Sequence, residues 1–341
     1  MDKQKKVTIK DVAKLAGVTP AVVSRVSNND TTLNIREETR IKVLRAINEL
    51  NYKPNAIARS LRKRSMKTIG MLITDIINPF YSQIIKGVQS AANKEDYCII
   101  LCDTNDEPEA EKKYIELLNA HFVDGIILGS SYIEDNVVDM IERLGIKYVM
   151  VNRGSSNSNA PYVKADDEGG MVKAVNYLIG LGHKKIAYLS GPLYAETAVR
   201  RLTGYRKALH EAEIQYNSGY VIEGAFDELS GYKTCKELLK NKDLPTAICC
   251  CNDLMAIGAM RAIKEAGLSV PDDISLVGCN GIWITSILAT PLTTINHPLF
   301  EMGRQAFKVL MGIINKDNSI DYHVTLPSEL VVRESTTFPR E

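Results

Sequence analysis

Thr8, Asp11, Gly17, Thr19 and Pro20 stand at spacings that suit the capping and joining of two short helices. Thr8 and Asp11 have the separation of a capping box. Val12, Leu15 and Ala16 give the first helix its apolar face. Gly17 supplies the turn. Thr19 then stands as N-cap, with Pro20 at the first position of a second helix. Two short helices around a tight Gly-containing turn place the second one in the major groove of duplex DNA. The chemistry expected of this segment is recognition by hydrogen bonds and charge, without bond making. A small helical hairpin with no role on DNA fits the spacing as well.

Charge separates the two readings. Residues 1–67 hold 16 of the 42 Lys and Arg but only 6 of the 41 Asp and Glu. That head carries +10, and the rest of the chain carries −9, inside a total of +1. A basic head on an acidic body is an electrostatic footprint for phosphate.

A second group of polar residues falls just past apolar runs: Asp75 and Asn78; Asp103 and Asn105; Ser130; Asn152 and Arg153; Asn252 and Asp253; Asn280. The runs predict strands at 69–74, 98–102, 125–129, 148–152, 185–190, 220–225, 247–251 and 274–279. Helical patterns alternate with them at 80–93, 109–122, 170–181, 197–212 and 254–266. Continuous apolar strands argue for parallel sheets covered on both faces. Alternating βα units argue for a doubly wound α/β architecture. The number of strands suggests two sheets with a seam near 166–170. Ligands in such folds bind outside the carboxyl ends of the strands, where these polar residues cluster.

The sequence offers little for catalysis. It lacks G-x-S-x-G, a Walker loop, G-x-G-x-x-G and H-E-x-x-H. Its five histidines are scattered. Asp166 and Asp167 could pair as carboxylates, but neighbours in a strand-like segment point to opposite faces. No catalytic residue, metal site or cofactor is expected. The seven cysteines have no disulfide or zinc spacing. Cys249, Cys250 and Cys251 read as buried, inert thiols, and Cys98 and Cys102 as neighbours on one strand face, too far apart to share a metal. No apolar run of about 18 residues predicts a membrane span. The charged N-terminus shows no secretion signal. A reducing cytoplasm is the expected compartment.

Several longer motifs, in order, carry a resemblance across residues 8–335: TIKDVAKLAGV…VSRVSN, YKPNAIARSLR, IINPFY, VDGIILG, GHKKIAYLSGP, RRLTGYRKAL, CNDLMAIGAM, VPDDISLVG and PLTTINHP. The chain resembles the LacI/GalR family of bacterial transcription regulators. The resemblance implies a helix-turn-helix domain over 1–54, a hinge helix and linker over 55–67, and a two-lobed core like a periplasmic sugar-binding protein over 68–341. The first lobe would span about 68–166 and 296–324, the second about 167–293 and 325–341. Chain crossings are expected near Asp166, Thr293 and Thr325. A homodimer on a palindromic DNA operator is implied, controlled by a sugar-like effector. No tetramerising extension is expected after 330–333.

The resemblance also assigns residues. Pro20, Ala21 and Arg25 occupy base-reading positions. Arg25 is the expected guanine contact, since its fork matches O6 and N7; a phosphate contact is the rival role. Pro20 and Ala21 either touch a thymine methyl or shape the approach. Thr19, Ser24 and Asn28 are phosphate-positioning groups, and Thr8 is placed with the DNA-contacting residues. Val22 stands where relatives often carry Thr. Asn55 begins the hinge, Arg59 and Arg62 add phosphate contacts, and Leu61 aligns with a leucine that wedges between base steps, with packing between the two hinges as a role that can stand instead or beside it. A hinge of about eight residues is too short to persist alone and should fold on DNA beside its dimer mate.

The effector positions implied are Phe80, Tyr81, Asn152, Thr197, Arg201, Phe226, Asn252 and Asn280. Phe80 and Phe226 could sandwich a ring, with core packing as the rival for Phe226. Arg201 could clamp hydroxyls or a carboxylate bidentately, with an ion pair across the cleft as its rival. Asn280 stands where many sugar-responsive relatives carry Asp. This points to a neutral sugar, or a phosphorylated or carboxylate-bearing one; a nucleobase stays open. The competing functions are a regulator controlled by a protein co-regulator, a transport sugar-binding module and an enzyme. The basic head speaks against the transport module, and the missing catalytic clusters against the enzyme.

Overall fold

The computed structural model describes residues 7–28, 30, 32–52, 65–120, 123–130, 136–155 and 159–340. The expected hinge helix, with Asn55, Arg59, Leu61 and Arg62, lies outside the described residues. The chain forms two compact units, Met1–Met66 and Lys67–Glu341.

Among its described residues the first unit holds three helices: α1 (Ile9–Ala16), α2 (Pro20–Ser27) and α3 (Glu37–Glu49). The Asp11 carboxylate accepts the Thr8 backbone N–H at 2.8 Å and the Thr8 hydroxyl at 2.7 Å, closing the start of α1. Gly17 ends that helix in the left-handed region at φ 67°, where a side chain would be strained. The Thr19 hydroxyl accepts the Val22 N–H at 3.4 Å, and Pro20 fills the first turn of α2. Val12, Ala13, Val23, Val26, Val43 and Ala46 make the core. One expectation needs correcting here. Leu15 is exposed, and Ala13 takes its place in the core. At 100° per residue, Val12, Ala16 and Ala13 fall within one arc, and Leu15 lies outside it on the far side of Val12.

The second unit is two doubly wound lobes. The first sheet runs β11 (His323–Leu326), β5 (Tyr162–Ala165), β4 (Tyr148–Val151), β3 (Gly125–Leu128), β1 (Thr68–Ile73) and β2 (Cys98–Asp103), with every pairing parallel. The second sheet runs β12 (Glu329–Val331), β10 (Thr293–Asn296), β9 (Ser275–Asn280), β8 (Ala247–Cys250), β6 (Ile186–Ser190) and β7 (Val221–Glu223). Its pairings are parallel except that of β12 with β10. Helices α4 (Pro79–Lys94), α5 (Pro108–Ala120) and α6 (Val137–Arg143) belong to the first lobe. Helices α7 (Asp167–Gly180), α8 (Glu196–Glu211), α9 (Glu228–Leu238) and α10 (Asp253–Glu265) cover the second. The last helix, α11 (Leu299–Asn315), packs on the first. A Cβ on its Gly303 would sit 2.0 Å from the Ile84 carbonyl, so α4 and α11 touch through bare backbone.

The chain therefore passes between lobes three times: after β5, after β10 and between β11 and β12. The second passage follows Asn296, not Thr293, because 293–296 pair with β9. The third follows Leu326. Other readings also shift. Asp166 and Asp167 are not strand neighbours: Asp166 caps α7 by accepting the Gly169 N–H at 2.9 Å, and Asp167 opens the helix. Cys98 and Cys102 do share one face of the edge strand β2, with Cys98 exposed at its start and Cys102 buried toward its end. Burial pushes the Cys249 thiol up to about 12, which keeps it protonated and inert.

Candidate functional site

Two surfaces have the residues for recognition. On α2, Val23 and Val26 face the core, while Pro20, Ala21, Arg25 and Asn28 are exposed and Ser24 is half-buried between them. These share one helix face by spacing. The Asn28 amide donates to the Ser24 carbonyl at 2.6 Å, so it also closes the end of α2. Arg25 is held in place: its Nε donates to the Asp30 carboxylate at 2.7 Å and its Nη2 to the Thr32 hydroxyl at 2.8 Å. The hydrogen bond from Arg25, followed by those from Thr32, holds the Asp30 carboxyl well below the usual range. Thr8 and Thr19 are exposed at the starts of α1 and α2.

The second surface is a cleft open to solvent at the carboxyl ends of both sheets. Phe80, Tyr81, Asn152, Thr197, Arg201, Phe226, Asn252 and Asn280 all line it. So do Thr74, Asn78 and Arg153, which the sequence did not assign to a ligand. Their signal was position: each follows a strand end, as in other open α/β folds. The strands deliver Thr74 after β1, Asn152 and Arg153 after β4, Phe226 after β7, Asn252 after β8 and Asn280 at the end of β9. Helix α8 contributes Thr197 and Arg201.

Hydrogen bonds sort these residues by task. The Tyr81 hydroxyl donates to the Gly129 carbonyl at 3.0 Å and accepts from Thr74 at 3.1 Å, so the ring is fixed at the wall. The Asn252 amide donates to the Phe226 carbonyl at 2.7 Å and accepts the Met255 N–H at 2.8 Å. It positions Phe226 and caps α10. A Cβ on Gly191 would lie 2.5 Å from the Phe226 ring, so only glycine admits the ring there. The Asn152 and Thr197 side chains line the cavity and make no hydrogen bond to other described residues.

Both arginines are buried and already paired. Arg201, 2 % exposed, donates from Nε to Asp167 at 2.7 Å, from Nη1 to the Cys251 carbonyl at 2.7 Å and from Nη2 to the Asn280 amide oxygen at 3.0 Å. With most of its five donors spent, the fork is not available as a bidentate clamp, and its ion pair lies within the second lobe. Burial works to raise the Asp167 carboxyl, but the Arg201 charge and His297 outweigh it and hold it well below the usual range. Burial lowers the pKa of His297 itself, against the raising effect of Asp167. Arg153, 4 % exposed, donates to Asp106 at 2.7 Å and lies 5.4 Å from the Phe226 ring centroid across the cleft. Asp106 also accepts the Tyr194 hydroxyl at 2.8 Å, and Lys164 meets Glu196 at 3.1 Å. These contacts tie the lobes together at the cleft.

Residues 8–55 match the model of bacterial regulatory proteins of the lacI family, and residues 66–334 that of the periplasmic binding proteins and sugar binding domain of the LacI family. The chain belongs to the LacI family. It is a DNA-binding transcriptional repressor of that family, with an effector-binding core of periplasmic-binding-protein type. The HTH-type transcriptional repressor PurR of Haemophilus influenzae (strain PittEE) is 38% identical over 331 residues, 96% of this chain and 98% of that one. The lac repressor dimer bound to operator and the anti-inducer ONPF superposes on this LacI-family chain with a TM-score of 0.87. The two are 32% identical over 98% of this chain and 100% of that one. The transcriptional regulator CelR in complex with cellobiose gives a TM-score of 0.75 at 31% identity, over 96% and 99% of the two chains.

Proposed function

We propose that this repressor binds a palindromic operator as a homodimer, and that a neutral, sugar-like molecule in the interlobe cleft sets its affinity for DNA. The charge state of the cavity carries the effector reading. Its two cations are matched by Asp106 and Asp167, and no carboxylate stands in the lining. A phosphate or carboxylate would meet no uncompensated cation and would lose its hydration. The amide of Asn152, the hydroxyl of Thr197 and the rings of Phe80 and Phe226 suit a neutral molecule with hydroxyls on an apolar frame. The cellobiose-bound relative supports the same class.

The exposed face of α2 and the basic head support groove binding. For the dimer, the lac repressor relative supplies the parallel. This chain offers exposed Ile76, Ile77 and Ile100 beside the open edge of β2, where the Ile76 N–H donates to Asp103. Effector and DNA are coupled only if the effector binds one state of the lobes better. A hundredfold shift in operator affinity needs about 2.7 kcal/mol of such preference.

A thermal-shift panel of neutral sugars, sugar phosphates, sugar acids and nucleobases tests the effector class. A ligand at about a hundred times its dissociation constant adds about 2.7 kcal/mol. The expected result is a rise in melting temperature with a neutral sugar. A rise confined to phosphates or acids would contradict the charge argument. A blank panel would turn the reading toward a protein co-regulator.

A further inference from the structure

Arg25 closes a small ring of hydrogen bonds at the end of α2. Its Nε donates to Asp30 Oδ2 at 2.7 Å, and its Nη2 donates to Thr32 Oγ1 at 2.8 Å. The Thr32 hydroxyl and backbone N–H both donate to Asp30 Oδ1, at 2.6 and 2.9 Å. The Asp30 backbone N–H donates to the Arg25 carbonyl at 3.0 Å, which brings the carboxylate beneath the guanidinium. Arg25 therefore spends Nε and one hydrogen of Nη2. Both hydrogens of Nη1 and the second on Nη2 have no partner among the described residues. One hydrogen of Nη1 and the second of Nη2 form the end-on edge of the fork, two parallel donors that match guanine O6 and N7.

We propose that Asp30 and Thr32 are a clasp that presents this edge of Arg25 to a base and cancels its charge toward phosphate, making Asp30 a positioning and specificity-determining residue. The proposal rests on the reading of α2 as the groove-entering helix. Two physical consequences set it apart from a purely structural ion pair. A free arginine loses rotamer freedom when it docks, whereas a clasped one has lost it beforehand, so the clasp sharpens discrimination. The pair is also neutral as a unit, so Arg25 adds little to sequence-independent attraction. That attraction falls to exposed cations such as Lys10, Lys14, Lys42 and Arg45. Removing the Asp30 charge should then raise affinity for any duplex while relaxing the choice among duplexes.

The test uses the full chain as wild type, Asp30→Asn, Thr32→Ala, Arg25→Ala and the Arg25→Ala/Asp30→Asn double variant. A randomised duplex library first selects a site for the wild type. Each protein is then titrated against that duplex, its single-base-pair variants and an unrelated duplex over a salt series. Arg25→Ala is expected to flatten the preference at one base pair of the half-site. Asp30→Asn should flatten the same pair by about tenfold, tighten the unrelated duplex and steepen the salt dependence by about one ion per head. Thr32→Ala should flatten that pair by less, and the double variant should be no flatter than Arg25→Ala alone.

Equal weakening of selected and unrelated duplexes by Asp30→Asn would reduce the pair to a structural contact and overturn the clasp. So would wild-type discrimination in Asp30→Asn and Thr32→Ala. Tighter binding of the selected site with discrimination intact would mean that Asp30 competes with DNA for Arg25, again overturning it. If Arg25→Ala flattens no position, the base-reading role of α2 at Arg25 falls first and the clasp with it. A library that enriches no site would overturn the DNA reading itself.

Discussion

At the scale of single residues, the cleft is governed by what its arginines have already spent. Arg201 is almost fully buried, and Asp167, equally buried, is its charge partner. Leaving one member of a buried pair without the other costs about 3–5 kcal/mol, because the remaining charge keeps its desolvation penalty and loses its compensation. Asp167→Asn is therefore expected to lower the unfolding free energy of the core by that order, read from urea denaturation. A change within about 0.5 kcal/mol, the range of ordinary surface substitutions, would show that Arg201 does not depend on the pair. The sequence made Arg201 legible as a cleft residue, because its motif and register are fixed by α8. It did not reveal Asp167. A two-residue carboxylate run says nothing of which member caps a helix and which enters it until the fold places them. Arg153 and Asn78 stood among the strand-end polar residues, yet nothing in their types marked them as cavity walls.

At the scale of elements, the continuously apolar strands were readable, as were the edge strands β2 and β7, whereas the short β5, β10, β11 and β12 and the long helix α11 were not. Strands β1, β3, β4, β8 and β9 are buried nearly throughout, so their apolar runs stand out. Strands β5, β11 and β12 alternate or lie at sheet edges, and their polar positions break the run. Burial that lowers a histidine's pKa gives the second lobe a measurable pH signature. His183 bridges the loop before β6 to the carboxyl-terminal segment, with Nδ1 2.9 Å from the Thr246 hydroxyl and Nε2 2.8 Å from the Thr337 carbonyl. Burial lowers its pKa from 6.5. The unfolded chain then takes up the proton first, so this histidine's contribution is present above pH 6.5 and is lost as pH falls through the folded pKa. His183→Gln keeps a donor for Thr337 but cannot titrate. The stability gap between wild type and this variant should narrow between about pH 7 and pH 5 in paired thermal melts. A constant gap would mean that His183 does not titrate differently in the two states. Other groups cancel in the difference.

At the scale of the whole molecule, the chain divides its labour by charge and by layer. The basic head carries α2 with its exposed polar face, and the acidic body encloses the cavity between two sheets whose carboxyl ends converge. The lobes are tied at the cleft by Arg153–Asp106–Tyr194 and by Lys164–Glu196, contacts that a bound molecule can strengthen or displace. No helix among the described residues is long and apolar enough to cross a membrane. The account stands on coupling between the cleft and DNA. Its most direct test is a fluorescence-anisotropy titration of the library-selected duplex with the full chain, with and without the molecule that raises the melting temperature. The account predicts an apparent Kd that shifts at least about fivefold, the lower end of ordinary allosteric coupling. Superimposable curves at saturating ligand would contradict it.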